Sequence, residues 1–262
     1  MNVTRVSVPV ETRAPTGATN AYLVSDDGET LLLDPAARTT DLDSLVEDRG
    51  ADHIAVTHTH PDHVGAVADY ARDTGATIWC RRGREAMFEA ATGVSADHTF
   101  VEGTTIPVGS GIEVLDTPGH ARDHVTFVAG DEYVTGDLAM AEGSVVVGAP
   151  AGDMRAYLVS LRRLYARNPR RMHPGHGPVI EDSRDVLARL IDHRRAREKK
   201  VEAAIRDGAR TPDEVTDAAY DKDVSAVYDL ARATVVAHIE KLAAERRVRW
   251  DPKTQSVEPL ER

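Results

Sequence analysis

Short apolar runs separated by glycine, proline and aspartate turns occupy the chain from residue 3 to about residue 179. This pattern predicts a domain of many short strands with a few helices between them. AYLVSDDGETLLLDP has two apolar runs around the turn-forming DDG, which predicts a β-hairpin. HIAVTH and ATIWC predict short buried strands, and DHVGAVADYARDTG between them predicts an amphipathic helix that ends before Gly75. IEVLDTPGH, VTFVAGDEYVTGD and SVVVGAP continue the strand pattern, and MRAYLVSLRRLYAR predicts a further helix.

The pattern changes after Glu181 to almost continuous helix. RDVLARLIDHRRAREKKVEAAIRDG, TPDEVTDAAY and SAVYDLARATVVAHIEKLAAERRV predict three helices, and the closing RVRW and SVEP predict a short hairpin. Three helices followed by a hairpin have the outline of a winged helix. We therefore predict a sheet-rich domain over residues 1–183 and a small helical, winged-helix-like domain over residues 184–262.

Composition narrows the class of protein. The chain has 262 residues, of which 41% are hydrophobic and 29% charged, so a sizeable core is expected. No apolar run approaches the roughly 18 to 20 residues that a membrane-spanning helix needs, and MNVTRVSVPVETRAP lacks the pattern of a signal peptide. We therefore expect a soluble, cytoplasmic protein with no membrane partner. The single cysteine, Cys80, fits a reducing compartment.

The net charge of −11 is unevenly distributed. Residues 191–262 hold 15 Lys and Arg against 15 Asp and Glu, so the acidity belongs to residues 1–190. The sequence lacks the general excess of basic residues that would favour binding of nucleic acid. Any polyanionic substrate must therefore be held by local arginines or by bound metal.

Residue types that bind metal recur in four blocks: HTHPDH at 58–63, DTPGHARDH at 116–124, TGD at 135–137 and HPGHGP at 173–178. Each block follows a predicted strand or lies in a glycine turn. Side chains alternate along an extended segment, so His58 and His60 are expected to point the same way. Borderline divalent cations accept imidazole nitrogen and carboxylate oxygen. The candidates divide between two ions, with His58, His60 and His120 on one, Asp62, His63 and His176 on the other, and Asp137 bridging.

HTHPDH, TPGH, TGD and PGHGP resemble the metal-ligand motifs of the metallo-β-lactamase superfamily. The resemblance implies an α+β fold, a four-layer αβ/βα sandwich with a dinuclear site at the edge of its two sheets. The stretch from GDLAMAEGSVVVGAP to MHPGHGPVI, with the HRRAREKKVEAAI start of the tail, is similar to the lactamase-beta-like-protein-two group. Members of that group carry a winged-helix-like carboxy-terminal domain. Its characterised animal members are zinc endoribonucleases that act on single-stranded RNA.

Three departures from other branches of the superfamily matter. True zinc β-lactamases commonly place a cysteine or serine among the ligands of the second ion and lack the bridging aspartate, so Asp137 disfavours lactam hydrolysis. Nucleases with an inserted cap domain need a long insertion, and the short interval between Asp137 and His176 leaves no space for it. Glyoxalase-II-like thioesterases share all seven ligands, and only their different substrate-binding tail argues against them.

We therefore predict a dinuclear metal hydrolase in which a metal-bridging hydroxide is the nucleophile. Asp62 is predicted to be a ligand that also orients the hydroxide or accepts its proton. On the resemblance, the expected substrate is a phosphodiester in single-stranded RNA, and the alternative is a thioester (hydroxyacylglutathione) or a small ester. A scaffold protein with a structural metal would require a missing ligand, and none is missing. Zinc is expected for both ions, with iron and manganese left open by the donor types.

Other residues near these blocks carry weaker hypotheses. His124 is a candidate partner of the ligands or of the substrate, Asp116 a candidate acceptor that orients His120, and His193 a candidate contact of the site from the tail. The tail also contains a basic cluster that RNA binding would use: Arg194, Arg195, Arg197, Lys199 and Lys200. Since the tail has no net positive charge, packing or contact between two copies of the chain is the alternative, which leaves a homodimer open.

Overall fold

The structure is a computed structural model that describes residues 1–260. The chain forms two compact units. The first unit comprises Met1–Thr117, Asp123–Val145 and Arg167–Val186. The second unit comprises Pro118–Arg122, Val146–Ala166 and the chain from Leu187 onward. The second unit thus takes in two segments that precede the predicted boundary at residue 183, and that boundary stays a prediction.

Six strands form the first sheet of the first unit, in the order β1-β2-β3-β4-β5-β6. They are β1 (Asn2–Pro9), β2 (Ala18–Asp26), β3 (Glu29–Leu33), β4 (His53–Ala55), β5 (Thr77–Arg81) and β6 (His98–Phe100). The pairs β1–β2 and β2–β3 are antiparallel, and the three pairs from β3 to β6 are parallel. The predicted hairpin is confirmed, with Asp26 paired to Glu29 across the turn.

Helices connect the parallel strands, as a crossover between parallel neighbours requires. They are α1 (Thr40–Arg49), α2 (Pro61–Val64), α3 (Val67–Thr74) and α4 (Glu85–Thr92). The helix predicted over DHVGAVADYARDTG ends before Gly75 as expected, but it is interrupted and forms α2 and α3. At the break, the Ala66 amide donates to the Pro35 carbonyl at 2.9 Å instead of continuing the helical ladder. A side chain at Gly65 would collide with the Ala36 carbonyl, so the same tertiary contact requires a glycine there.

Five strands form the second sheet, in the order β11-β10-β9-β8-β7. They are β7 (Thr105–Ile106), β8 (Ile112–Asp116), β9 (Val125–Ala129), β10 (Glu132–Gly136) and β11 (Arg171–Pro174). The strand predicted for SVVVGAP is not formed. Within that segment, the Ala149 amide donates to the Ala233 carbonyl at 3.1 Å, so its backbone bonds a helix and not a neighbouring strand.

The core of the first unit follows the two-residue period of its strands. Tyr22 and Val24 of β2 are buried in a cluster with Phe127 of β9, between the two sheets. Ala21 and Leu23 of the same strand belong to a second cluster, formed with side chains of α1, α3 and α4. The first unit is therefore a layer of helices, a six-stranded sheet and a five-stranded sheet in succession.

The remaining elements are α5 (Met154–Arg167), α6 (Ser183–Arg206), α7 (Pro212–Ala219), a 3-10 turn (Ser225–Val227), α8 (Tyr228–Ala244), β12 (Val248–Asp251) and β13 (Ser256–Pro259). Helix α7 begins with a capping box between Thr211 and Glu214, which satisfies amides at the helix start. Val201, Val235 and Val257 belong to the core cluster of the second unit. The predicted helices and closing hairpin of the tail are present. Among residues 1–260, no helix is long and apolar enough to cross a membrane.

Candidate metal centre

The first unit places ligand-type side chains after strands of both of its sheets. His58 follows β4, Asp137 follows β10 and His176 follows β11. The ligand-type atoms of His58, His63 and Asp137 lie within 4.8 Å of one another, and so do those of Asp62, His63 and His176. Five of the seven residues predicted as ligands therefore form two groups that share His63.

His63 is oriented by a buried carboxylate. Its Nδ1 lies 2.9 Å from Oδ2 of Asp34, and both side chains are almost fully buried. Asp34 also accepts hydrogen bonds from the amide and the hydroxyl of Thr57, each at 2.7 Å. Since Asp34 holds a proton of the ring on Nδ1, Nε2 is the nitrogen that offers a lone pair when the ring is neutral.

That second nitrogen faces the cluster. Nε2 of His63 is buried, has no hydrogen-bond partner among residues 1–260, and lies 3.6 Å from Oδ1 of Asp137. Burial by itself lowers the pKa of His63, but the charges of Asp34 and Asp137 outweigh it and raise this pKa to about 9. The surroundings therefore stabilise positive charge at this point, whether it is carried by a proton or by a cation.

His176 is held in the same manner by a backbone carbonyl. Its Nδ1 lies 2.8 Å from the Ala18 carbonyl oxygen, and its Nε2 lies 3.4 Å from Oδ1 of Asp137 and 3.6 Å from Oδ2 of Asp62. Burial lowers the pKa of His176, and the hydrogen bond and charge of Asp137 reverse this effect, so that the pKa is raised. Both imidazoles thus point Nε2 at the same carboxylate, that of Asp137.

The position that precedes His176 in its turn has no space for a side chain. A β-carbon at Gly175 would lie 2.5 Å from Oδ1 of Asp137 and 2.8 Å from Cε1 of His63. Asn20 braces the turn, since its amide donates to the Gly175 carbonyl at 2.7 Å and its side chain donates to the Pro174 and Gly177 carbonyls. The glycines of HPGHGP are therefore explained by close approach of the backbone to the cluster.

His58 and His60 lie side by side, as their alternate spacing predicts. Their ring centroids are 4.4 Å apart. Thr59 between them donates to Oδ2 of Asp123 from its amide at 2.9 Å and from its hydroxyl at 2.7 Å. Asp123 therefore fixes the strand-like segment that carries both histidines.

His120 and Asp116 are two further residues predicted from the sequence, and each has a hydrogen-bond partner outside these two groups. His120 belongs to the second unit, where its Nδ1 lies 2.6 Å from the Val146 carbonyl oxygen. A backbone carbonyl therefore serves as the acceptor at this nitrogen, and its place in the ligand set stays a prediction. Asp116 of the first unit accepts two hydrogen bonds from the guanidinium of Arg81, so its carboxylate is engaged in an ion pair.

His124 and His193 differ in their surroundings. His124 is buried, its Nδ1 is 2.9 Å from Oγ1 of Thr117, and its ring centroid is 5.3 Å from that of His58. His193 lies on α6 in the second unit, where desolvation and the nearby charges of Arg194 and Arg197 lower its pKa to about 4. A role for either residue in the reaction stays a prediction.

The sequence patterns did not reveal Thr12, Asn20, Thr57 or Asp123 as parts of this region. Thr12, Asn20 and Asp123 each contact residues that are distant in sequence. Asp123, for example, accepts from Thr59 across 64 positions. Thr57 is the exception, because it directly precedes the HTHPDH block. A hydroxyl side chain directly before a run of potential ligands is the sequence signal that indicates Thr57.

The donor set fits divalent cations. Imidazole nitrogens and carboxylate oxygens are the ligands that zinc, iron and manganese share. Burial of Nε2 of His63 without a hydrogen bond to the described part of the chain costs free energy, and a bound cation would offset this cost. The carboxylate behind its other nitrogen is the usual arrangement for a ligating histidine.

A family model described as the metallo-beta-lactamase superfamily matches residues 14–176. An atrochrysone carboxyl ACP thioesterase of Aspergillus fumigatus is 30% identical over 209 residues, 76% of this chain. The chain spans 64% of the length of that thioesterase. A beta-lactamase-like protein 2 homolog of Drosophila melanogaster is 27% identical over 252 residues, which cover 88% of this chain and 84% of that protein.

The fold has solved counterparts. A metallo-beta-lactamase family protein of Thermus thermophilus superposes with a TM-score of 0.80 at 23% identity, covering 98% of both chains. This similarity confirms the predicted α+β fold class. Together with the family match over more than half of the sequence and the cluster of histidines and aspartates, it identifies the class of the protein. The chain belongs to the metallo-beta-lactamase superfamily.

Proposed function

We propose that this protein hydrolyses thioesters, with His58, His60, Asp62, His63, His120, Asp137 and His176 as the ligands of two divalent ions, zinc in the first instance. When bound, such a pair of ions supplies a hydroxide near neutral pH and stabilises the oxyanion that forms at the attacked carbonyl. Asp34 keeps His63 in the tautomer that offers Nε2, and the Ala18 carbonyl does the same for His176. Asp62 supplies a carboxylate oxygen to accept a proton during hydrolysis.

We favour a thioester over RNA because basic side chains on α6 are engaged by other residues of the protein. Cleavage of RNA calls for cations that contact the phosphate backbone. The guanidinium of Arg197 stacks 3.6 Å from the ring centroid of Tyr220 and donates to the Ala219 carbonyl. Lys200 pairs with Asp221, and Arg194 is buried, 5.3 Å from the ring centroid of Tyr157. These side chains contact other residues of the second unit, which fits a role in packing.

The similarity to the Aspergillus thioesterase supports the same choice, since that protein's name states a thioester as its substrate.

Cleavage of single-stranded RNA is the second candidate. It is favoured by the similarity to the Drosophila beta-lactamase-like protein 2 homolog, which extends over 84% of that protein, and by the group resemblance described above. In this alternative, the three helices and hairpin of the tail would act as a winged-helix-like module that holds the RNA.

Turnover of three substrates by zinc-loaded protein separates these candidates: an acyl N-acetylcysteamine thioester, S-lactoylglutathione and a labelled single-stranded RNA. We expect thiol release from at least one thioester and no RNA cleavage. The Asp62→Ala variant should lose the activity. Asp69→Ala should retain it, because Asp69 pairs with Arg72 on the surface of α3. RNA cleavage without thiol release would overturn the proposal in favour of the nuclease.

A further inference from the structure

We propose that Thr12 is a positioning residue for Asp62, acting from the loop between β1 and β2. The inference rests on the proposed role of Asp62 as a ligand in the hydrolase. It adds a residue from a part of the chain that lies outside all four metal-binding blocks. Oγ1 of Thr12 donates to Oδ2 of Asp62 at 2.6 Å, across 50 positions of sequence.

The direction of this hydrogen bond is determined by a second contact. The amide of Ala14 donates to the same Oγ1 of Thr12 at 3.1 Å. With one lone pair of the hydroxyl engaged by an N–H, its single proton is available for the carboxylate. The short distance is that of a strong hydrogen bond from a hydroxyl to a carboxylate oxygen. Thr12 therefore holds Oδ2 of Asp62 in one orientation.

The oxygen that Thr12 contacts is the one that faces the cluster. Oδ2 of Asp62 lies 3.6 Å from Nε2 of His176. Asp62 is the second residue of α2, a helix of four residues without a side-chain cap, and its side chain is 18% exposed. The terminal torsion of an aspartate is broad, so a carboxylate in this place needs an anchor to keep one oxygen directed at its neighbours.

The loop that carries Thr12 is itself closed by backbone hydrogen bonds. The amide of Val10 donates to the Gly17 carbonyl at 3.3 Å, and the amide of Gly17 donates to the Ala14 carbonyl at 3.2 Å. Thr12 is partly buried within this loop. The hydroxyl thus approaches Asp62 from a turn whose shape is set locally, as a support for a ligand requires.

Cobalt binding tests the inference without reference to turnover. Thr12→Val removes the hydroxyl with little change of shape, Thr12→Ser retains it, and Thr4→Val is the matched control, since the Thr4 hydroxyl accepts a hydrogen bond from Arg49. We expect Thr12→Val to bind one of its two Co²⁺ equivalents roughly tenfold or more weakly, in competition with a chelator. Thr12→Ser and Thr4→Val should bind both equivalents like the wild type.

Melting of the metal-free variants shows whether the fold is intact. If Thr12→Val melts with the wild type and binds both Co²⁺ equivalents with unchanged affinity, the inference is overturned. Equal weakening in Thr12→Val and Thr12→Ser would also overturn it, because the hydroxyl would not be the cause. Where a thioester is turned over, Thr12→Val should lower kcat with little change in KM. Absence of thioester turnover by the wild type, beside the expected Co²⁺ result, would refute the proposed substrate and leave the role of Thr12 standing.

Discussion

Nδ1 of His63 lies 2.9 Å from Oδ2 of Asp34, and the two side chains are almost completely buried. This pair is the link between the first sheet and the candidate metal centre, since Asp34 directly follows β3 and also binds Thr57, which precedes the HTHPDH block. Asp34 adopts a left-handed backbone conformation with φ of 51°, which is uncommon outside glycine. Asp34 thus holds an uncommon backbone conformation at the point from which it contacts both His63 and Thr57, as strained residues at functional sites do.

Asp34→Asn should weaken metal binding roughly 10- to 100-fold. The amide has the shape of the carboxylate, but it lacks the charge that polarises His63. Competition with a chelator for Zn²⁺ measures this loss. Asp52→Asn is the matched control, because Asp52 bridges strands by accepting from the Thr30 amide and hydroxyl in the manner of Asp34 and Thr57. Equal metal affinity in the two variants would refute the role assigned to Asp34.

Gly175→Ala should displace Asp137 or His63, because its β-carbon would lie 2.5 Å from the carboxylate of the first and 2.8 Å from the ring of the second. We expect a loss of stability of roughly 1–3 kcal/mol together with a reduced metal content. Thermal melting and elemental analysis measure the two effects. Gly130→Ala serves as control, since Gly130 has φ of 66° and no atom near its missing β-carbon. It should lose stability through backbone strain and keep its metal.

Glu198 should make the protein sensitive to acid. Burial raises the pKa of this carboxyl, but hydrogen bonds and charges from His238 and Lys241 outweigh it and lower the pKa to about 2. A carboxyl with a depressed folded-state pKa contributes stability above its unfolded value of 4.5, and this stability is lost as the pH falls from there toward 2. Glu198→Gln should therefore lower the free energy of unfolding at neutral pH by roughly 1–3 kcal/mol.

The pH dependence distinguishes Glu198 from its neighbours. Denaturant unfolding between pH 7 and pH 3 should show a smaller decrease in the variant than in the wild type. Glu245→Gln is the control, because Glu245 also pairs with Lys241 at 2.8 Å but is more exposed. A wild-type slope in Glu198→Gln below pH 4.5 would contradict the assignment.

Arg197→Ala should destabilise the protein by about 1 kcal/mol, since it removes a cation stacked on Tyr220 and a donor to the end of α7. Arg195→Ala should change stability little, because Arg195 is 54% exposed and lies 3.9 Å from Asp192. Chemical denaturation of both variants measures the difference. If Arg197 instead contacted RNA phosphates, its loss would reduce the salt dependence of RNA binding and leave stability unchanged.

Several local features could be predicted from sequence because they depend on neighbours along the chain. The hairpin around DDG, the helix MRAYLVSLRRLYAR and the helices of the tail all follow from periodicity and turn residues that lie within the element itself. The helix predicted over DHVGAVADYARDTG is interrupted where the Ala66 amide donates to the Pro35 carbonyl. A hydrogen bond to another part of the chain cannot be seen in the pattern of the segment that it interrupts.

The same division applies to the candidate site. The sequence by itself determined the donor types and their order along the chain, because ligand chemistry is carried by residue identity and strand ends are visible in hydrophobic periodicity. Only the tertiary structure decided which groups hold those donors in place: Asp34 behind His63, the Ala18 carbonyl behind His176, and Thr12 beside Asp62. Each of these contacts joins residues at least 29 positions apart, and such pairs meet only when the sheets and loops have packed.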